Sequence, residues 1–179
     1  TLRRSSAASD VYKRQLCELQ NGLESMVLIT QNVDNLHERG GSSDVIHMHG
    51  RLETLRCEAT GRHEKRMNST DFTDDFLLCT CCSTPSRVRP DIVWFGEIPM
   101  HMEAIYRAVD ACEVFVVVGS SGHVYPAADL VDVARRNGAW TVLVNAEPPL
   151  NLDSFDEVHL GKAGELLPGL VRQWLGSEG

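Results

Sequence analysis

The clearest hydrophobic pattern lies in the second half of the chain, where a continuous apolar run and a second run that contains one threonine flank a stretch with helical spacing. The runs cover residues 114–118 and 140–144, and the stretch between them, residues 125–138, has Pro126 near its start and Gly138 at its end. Continuous apolar runs of this length are typical of strands buried on both faces of a parallel sheet. Proline in the first turn and glycine after the last favour a helix. The pattern therefore predicts a strand–helix–strand crossover in an α/β fold with a Rossmann-like parallel sheet.

The rest of the chain contains shorter signals of both kinds. Apolar residues recur at helical spacing in three stretches, and short apolar runs occur in three others. The predicted helices are residues 16–23, 102–109 and 166–175, and the predicted strands are residues 26–29, 92–95 and 158–160.

Residues 52–88 differ from the rest of the chain, because most of them are polar, and apolar and polar residues do not alternate regularly. This stretch contains four of the six cysteines. A small polar segment with clustered cysteines is typical of a module that a metal holds together in place of an apolar core. We therefore predict a small inserted zinc-binding module at about residues 51–90. The alternative is a set of reduced cysteines without a ligand.

Size and charge exclude several classes of protein. A chain of 179 residues with 42% hydrophobic residues fits a single globular domain. It contains no run of about 18 apolar residues that would indicate a membrane-spanning helix. A formal net charge of −8 disfavours nucleic acid as a partner, because such binding needs a basic face. The unevenly spaced cysteines do not resemble a secreted disulfide framework, so reduced thiols and a cytoplasmic location are expected.

The start of the chain differs in charge from the rest. Residues 1–15 contain four basic residues and one acidic residue, and they lack the apolar segment of a secretory signal. We interpret them as a foreign or disordered leader. The folded domain is expected to cover residues 16–179.

Polar side chains follow the strand predicted at residues 26–29. They lie where ligands bind in open α/β sheets, beyond the carboxyl ends of the strands. Amides and a carboxylate at that place suit a ligand with many hydroxyl and amide groups, such as a ribose or a nicotinamide. The alternative is an Asn/Asp-rich turn that caps a helix. The cluster consists of Thr30, Gln31, Asn32, Asp34 and Asn35.

Several motifs in a fixed order resemble those of one protein family. The motifs after the polar cluster are Val-Ile-His-Met-His-Gly at 45–50, Arg-Pro-Asp-Ile-Val-Trp-Phe-Gly-Glu at 89–97, Gly-Ser-Ser-Gly at 119–122 and Asn-Ala-Glu at 145–147. This series resembles the sirtuins, the NAD-dependent protein-lysine deacylases, and most closely the bacterial CobB type, over about residues 16–179. The resemblance implies NAD as the cofactor and an acylated lysine on a protein as the substrate.

The His-Gly pair at residues 49–50 resembles the catalytic histidine of the sirtuins. In the family, the acyl oxygen attacks C1′ of the nicotinamide ribose and releases nicotinamide, and the histidine then acts as base on a ribose hydroxyl. We therefore expect His49 to be catalytic, since imidazole can take a proton near neutral pH. His47 has no such match and is expected to be structural. Without the resemblance, a surface or satisfied core histidine would be the ordinary interpretation.

The resemblance also implies a cofactor site built from several loops. Residues after the first strand face the nicotinamide and its ribose, and the Gly-Ser-Ser loop approaches the cofactor through backbone N–H groups. Residues after the following strand face the adenosine ribose. Taken alone, the Gly-Ser-Ser-Gly sequence is typical of an ordinary turn. The implied residues are Gln31, Asn32, Asp34, Gly119, Ser120, Ser121, Asn145, Ala146 and Glu147, with Ala163 at the adenine.

Most sirtuins bind one structural zinc with two Cys-x-x-Cys pairs, and this chain departs from that pattern. Cys79 and Cys82 form one pair, but Cys57 has no partner at the matching spacing. Three thiolates and one other ligand still make a tetrahedral site, so we predict these three cysteines as zinc ligands. His63 is a candidate for the fourth ligand, and Cys81 is one residue out of register.

The expected substrate channel has two walls in the family, at residues 94–97 and 122–125. The sequence of residues 89–97 resembles the corresponding sequence of sirtuins that also remove acidic acyl groups. The resemblance therefore implies deacetylation and desuccinylation of protein lysines, with nicotinamide and O-acyl-ADP-ribose as products. The alternative is a zinc-containing module that binds NAD or ADP-ribose without turnover, because the family's Gly-rich loop is expected before residue 16 and is absent. We expect an N-terminally truncated chain that is inactive by itself, from an active parent.

Overall fold

The computed structural model of the protein describes residues 2–66, 77–122 and 124–176, which divide into two compact units. The sheet unit consists of residues 1–28, 36–46 and 101–179, and the cysteine unit consists of residues 29–35 and 47–100. In chain order, the helices and strands are α1 (Leu2–Gly22), β1 (Ile29–Thr30), α2 (Leu36–Arg39), β2 (Ile46–His47), β3 (Gly50–Cys57), β4 (His63–Arg66), β5 (Val88–Ile92), α3 (Met102–Ala111), β6 (Val114–Val118), α4 (Leu130–Arg136), β7 (Trp140–Asn145), β8 (Glu157–Leu160) and α5 (Ala163–Trp174), with 3₁₀ turns at Ala127–Asp129 and Leu152–Ser154.

The sheet unit is built around three parallel strands in the order β6-β7-β8. Val116 pairs with Val142, and Leu143 pairs with Val158. The central strand β7 is the most buried, since Val142, Leu143 and Val144 are at most 2% exposed. Parallel neighbours need a crossover connection, and α4 lies in the one between β6 and β7. The predicted strand–helix–strand arrangement is therefore confirmed.

The strand β6 is less buried than its apolar sequence predicts. Val114 is 54% exposed and the other four residues of the strand are half-buried, so the prediction of burial on both faces is wrong. Among the described residues, β6 pairs with β7 alone and forms one edge of the sheet. An edge strand has a neighbour on one side only, which leaves its side chains accessible.

Helices α1 and α5 pack together over the main apolar core of the sheet unit. Leu16 of α1, Val144 of β7 and Leu167 of α5 belong to one cluster of buried side chains. In α5 the buried residues Leu167, Leu170 and Val171 recur at spacings of three and one, as one face of a helix requires. The helix predicted at residues 166–175 is confirmed, with its start three residues earlier.

Residues 2–15 form the first part of α1, which runs without a break to Gly22. Tyr12 packs against the apolar core and Lys13 is 1% exposed. The predicted boundary at residue 15 is therefore not a boundary of secondary structure, and a disordered leader is not what the structure shows. A foreign origin of these residues stays a prediction. No described helix is long and apolar enough to cross a membrane.

The cysteine unit contains an antiparallel sheet in the order β4-β3-β5. Thr54 pairs with Arg66 and Cys57 pairs with Val88, and the register of β3 shifts along both pairings. These three strands lie in the region of the predicted zinc module, of which residues 67–76 are outside the described part of the structure. The short strands β1 and β2 form a separate two-stranded sheet.

Three predicted elements are shorter in the structure than in the sequence pattern, and of the strand expected at residues 92–95 only Ile92 is in a strand. Of the strand expected at residues 26–29, only Ile29 is in a strand, and Val27 is 51% exposed. The helix expected at residues 125–138 starts as a 3₁₀ turn, because the N–H of Asp129 donates to the carbonyl of Pro126 at 3.0 Å. Such a three-residue bond tightens the first turn.

Candidate active site and metal centre

His49 lies between β2 and β3, and a backbone carbonyl orients its ring. Nδ1 is 3.1 Å from the carbonyl oxygen of Gln31. A carbonyl can only accept, so Nδ1 carries the proton, which leaves Nε2 as the basic nitrogen of the neutral ring. The carbonyl of His49 in turn accepts from the N–H of Val93 at 2.9 Å. The residue is thus held through both its side chain and its backbone.

His47 makes the same kind of contact with the next residue of that loop. Its Nδ1 donates to the carbonyl of Asn32 at 3.1 Å, and the N–H of Asn32 donates to Thr30 Oγ1 at 3.1 Å. His47 is 3% exposed, whereas His49 is half-buried. Of the two histidines, His49 is therefore the one that a ligand can reach. The structural role of His47 stays a prediction, which its burial supports.

Gly50 stands where another segment of backbone comes very close. It has φ +80 and pairs with Ile92 across the sheet, and a Cβ on it would be 2.0 Å from the carbonyl oxygen of Asp91. Only glycine fits this position without moving the strands. The glycine after His49 is therefore required by the pairing of β3 with β5.

The residues predicted to face the nicotinamide lie in the loop between β1 and α2. Gln31 and Asp34 are half-buried and Asn32 is exposed. A hydrogen bond of 2.8 Å from Asn35 Nδ2 to Glu53 Oε2 attaches the loop to β3. Gln31 and Asn32 contact His49 and His47 through their backbone carbonyls. The side-chain amides of these two residues take no part in those contacts.

Asn145 ends β7, and its side chain joins two loops of the sheet unit. Its Nδ2 donates to the carbonyl oxygens of Ser120 at 2.9 Å and Glu147 at 2.8 Å. Because backbone groups take both amide hydrogens, Oδ1 is the side-chain atom left for a ligand. The carbonyl of Asn145 accepts from the N–H of Gly161 at 2.8 Å. Loops from the ends of β6, β7 and β8 therefore meet at this residue.

The other predicted cofactor residues of the sheet unit occupy the same strand ends. Gly119 has φ +66, and its N–H donates to the carbonyl of Val144 at 3.0 Å, which extends the pairing of β6 with β7 by one residue. Ala163 begins α5 and packs against the apolar core. The exposed members are Gly119, Ser121, Ala146 and Glu147.

Four cysteines of the cysteine unit come together. The Sγ atoms of Cys57, Cys79, Cys81 and Cys82 all lie within 4.8 Å of one another, and Cys82 is 3.7 Å from both Cys57 and Cys81. In a tetrahedral site with Zn–S distances of about 2.3 Å, sulfurs are about 3.8 Å apart. The arrangement fits zinc, and it corrects the expectation that Cys81 is out of register. The side chain of His63 lies outside the described part of the structure.

Hydrogen bonds around the sulfurs shift the pKa values of the Cys57 and Cys82 thiols in opposite directions. Thr60 is the main cause that lowers the pKa of the Cys57 thiol to about 6, and the hydroxyl of Thr60 also lies 3.3 Å from Cys81 Sγ. Contacts with the neighbouring thiols, first Cys79 and then Cys57, raise the pKa of Cys82 to about 12. Thiolates are the form that binds a metal. The threonine at position 60 thus supports the sulfur cluster without being a ligand.

Comparison with known proteins decides the family. Residues 2–126 match the Sir2 family, which is more than half of the chain. This chain belongs to the Sir2 family. The Rossmann-like α/β fold expected from the sequence is confirmed by solved Sir2 structures. A crystal structure of a Sir2 homolog–NAD complex is 33% identical to this chain with a TM-score of 0.85, covering 93% of this chain and 64% of the homolog.

Two further relatives define the extent of the similarity. The NAD-dependent protein deacylase of Yersinia pestis is 46% identical over 155 residues, which are 85% of this chain and 54% of that protein. A Sir2–p53 peptide–NAD⁺ structure is 28% identical with a TM-score of 0.81, covering 94% of this chain and 70% of the other. This Sir2 chain thus spans about half the length of the curated relatives that it matches.

Proposed function

We propose that the protein carrying this Sir2 chain is an NAD-dependent protein-lysine deacylase that removes acetyl and acidic acyl groups such as succinyl. Membership in the Sir2 family and similarity to proteins named NAD-dependent protein deacylase support the reaction class. The similarity to a Sir2–p53 peptide complex supports a protein substrate. A cytoplasmic location belongs to the same proposal, supported by six free cysteines.

The orientation of His49 is the observation that carries this proposal. The carbonyl of Gln31 fixes the proton on Nδ1, so Nε2 is ready to take a proton from a hydroxyl without a change of tautomer. The N–H of Val93 donates to the carbonyl of His49 and so holds the backbone of this residue in place. A base held in this way needs no reorganisation before it acts.

The residues present suit NAD as the bound cofactor. When bound, NAD would supply the ribose carbon that accepts the acyl oxygen and the hydroxyl whose proton His49 takes. Gln31, Asn32 and Asp34 offer amide and carboxylate groups for the nicotinamide and its ribose. Asn145 Oδ1 and the exposed carboxylate of Glu147 suit ribose hydroxyls. The backbone at Gly119, Ser120 and Ser121 and the position of Ala163 complete the proposed set.

We also propose that Cys57, Cys79, Cys81 and Cys82 bind one structural zinc. Sulfur distances of 3.7 Å match a tetrahedral thiolate site. Four protein ligands leave no open position on the metal, which is typical of structural rather than catalytic zinc. The metal would then hold the β4-β3-β5 sheet together and take no part in the reaction.

Nicotinamide release tests the proposed activity. The full-length protein is incubated with NAD and with acetyl-lysine or succinyl-lysine peptides, and nicotinamide is measured with and without peptide. Release that depends on the acylated peptide is expected for both acyl groups. Binding of NAD or ADP-ribose without such release would instead assign a non-catalytic binding module.

A further inference from the structure

The segment after β5 forms a tight turn that presents apolar side chains to solvent. The N–H of Glu97 donates to the carbonyl of Trp94 at 2.9 Å, and Gly96 has φ +88 at the third position of the turn, as a type II turn requires. Phe95 at the tip is fully exposed and Ile98 is 85% exposed. Large apolar groups exposed within one short segment are typical of a surface that meets a partner.

This turn is anchored by the carboxylate of Glu97. Oε2 accepts from the N–H of Trp94 at 3.0 Å and from Arg56 Nη2 at 3.2 Å, and Oε1 accepts from Arg89 Nη2. The Trp94 N–H and then the two guanidinium groups hold the pKa of Glu97 below its usual range. Both oxygens of one carboxylate are therefore committed to the base of the turn.

The two arginines are themselves held in place. Arg56 Nε lies 3.6 Å from Oδ1 of the buried Asp91. Arg89 donates to the carbonyl of Ile92 at 3.4 Å, and its guanidinium carbon lies 4.2 Å from the centre of the Trp94 ring. Planar guanidinium groups combine such stacking with bonds to a carboxylate, which lysine cannot reproduce. The base of the turn is thus a fixed network of charges on β3 and β5.

The network connects to the proposed catalytic base through the backbone. Val93, the residue before the turn, donates its N–H to the carbonyl of His49. The turn therefore follows, directly in the chain, the residue that is bonded to the backbone of His49. Arg56, Arg89 and Glu97 contact the base of the turn, whereas Phe95 lies at its exposed tip. They would therefore affect ligand binding indirectly, through Trp94 and Phe95.

We propose that Glu97, with Arg56 and Arg89, is a positioning residue that holds the Trp94–Phe95 turn in the shape that receives the acylated peptide. This inference rests on the proposed deacylase function. It assigns an effect on substrate affinity to the charge network at the base of the turn. Loss of the Glu97 charge should weaken peptide binding and leave NAD use unchanged.

The matched pair Glu97→Gln and Glu103→Gln tests the inference in the full-length protein. Glu103 lies on α3 with an 88% exposed side chain and a single surface contact with Arg107. We expect Glu97→Gln to raise KM for the peptide, and the Kd of a labelled acetyl-lysine peptide, about tenfold, with kcat and KM for NAD within about twofold. Glu103→Gln should match the wild type.

The outcomes separate this inference from the proposed function. Equal peptide affinity in Glu97→Gln and wild type would overturn the inference alone. A parallel loss of Tm, kcat and both KM values would also overturn it, because the residue would then be merely structural. Wild-type protein that neither binds the peptide nor releases nicotinamide would overturn the proposed function and the inference with it.

Discussion

The two three-stranded sheets of this chain bury different kinds of residue on their central strands. In the parallel sheet, β7 buries Val142, Leu143 and Val144 in succession. In the antiparallel sheet, β3 buries Leu55 and Cys57, while Arg56 between them is half-buried and pairs with acidic groups. Helices cover parallel strands on both faces, whereas an antiparallel sheet needs cover on one. The comparison teaches that apolar packing stabilises the first sheet, and it supports the proposal that sulfur ligation and ion pairs stabilise the second.

This difference also separates the roles of the two regions. A unit with few buried apolar side chains leaves positions free for polar groups, such as Arg56 on β3 and His49 and Glu97 in the segments next to the sheet. Polar groups of this kind stabilise a fold only when each has its hydrogen-bond partner. We therefore expect the cysteine unit to carry more reactive side chains and to be less stable than the sheet unit. Changes in the two sheets should therefore have different consequences for stability.

Loss of the metal is expected to have the largest effect on stability, confined to the cysteine unit. Structural zinc contributes roughly 10 kcal/mol of apparent folding free energy in small sites. Chelation, or the substitution Cys57→Ser, should remove hydrogen-exchange protection from β3 and β5 while β7 keeps its own. Elemental analysis should find about one zinc per chain. Cys112→Ser is the matched control and should retain the metal, and a well-folded preparation without zinc would contradict this account.

A smaller effect is expected from truncating the core of the parallel sheet. Leu143 is fully buried, and Leu143→Ala should lower the free energy of unfolding by about 2–5 kcal/mol. Leu160 on β8 is 51% exposed, so Leu160→Ala should change it by about 0.5 kcal/mol or less. Urea denaturation of both variants measures the difference. Equal losses would mean that apolar burial is not what stabilises this sheet.

The smallest effect is expected from one carboxylate beside β7, and it depends on pH. The N–H and hydroxyl of Thr141 lower the pKa of Asp156, with Arg135 adding to the shift. A lowered folded-state pKa stabilises the protein above the unfolded value and loses that contribution as pH falls through the folded value. Asp156→Asn should therefore lower Tm at pH 7, with the difference from wild type shrinking on acidification. A difference that persists at low pH, or that also appears in Asp153→Asn, would contradict this assignment.

Parts of the fold with long apolar patterns could be predicted from the sequence. The helix α3 and the strands β7 and β8 lie where the patterns of residues 102–109, 140–144 and 158–160 place them. The burial of β6 could not be predicted, because a continuous apolar run does not reveal whether a strand is central or at an edge. The extent of α1 was missed because composition in residues 1–15 says little about helix formation.

The proposed metal centre shows the same limit in the candidate site. Cys57, Cys79 and Cys82 were predicted as ligands, and the structure places their sulfurs together. Cys81 was set aside because motif spacing selects one residue of an adjacent pair, yet the bend at residues 80–84 brings both sulfurs inward. The signal available in the sequence was that Cys81 and Cys82 are adjacent, so either of them could be the second member of the pair with Cys79. The bond between His49 and Gln31 likewise joins residues 18 positions apart, which no local pattern shows.

The comparison of His49→Ala with His47→Ala in the full-length protein tests the central claim most directly. Both rings donate Nδ1 to neighbouring carbonyls, but His49 alone is assigned as the base. We predict that His49→Ala lowers peptide-dependent nicotinamide turnover about 10²- to 10⁴-fold while the affinity for NAD stays within about threefold, since a general base acts after binding. His47→Ala should have a much milder effect. Near-normal turnover in His49→Ala would contradict the account.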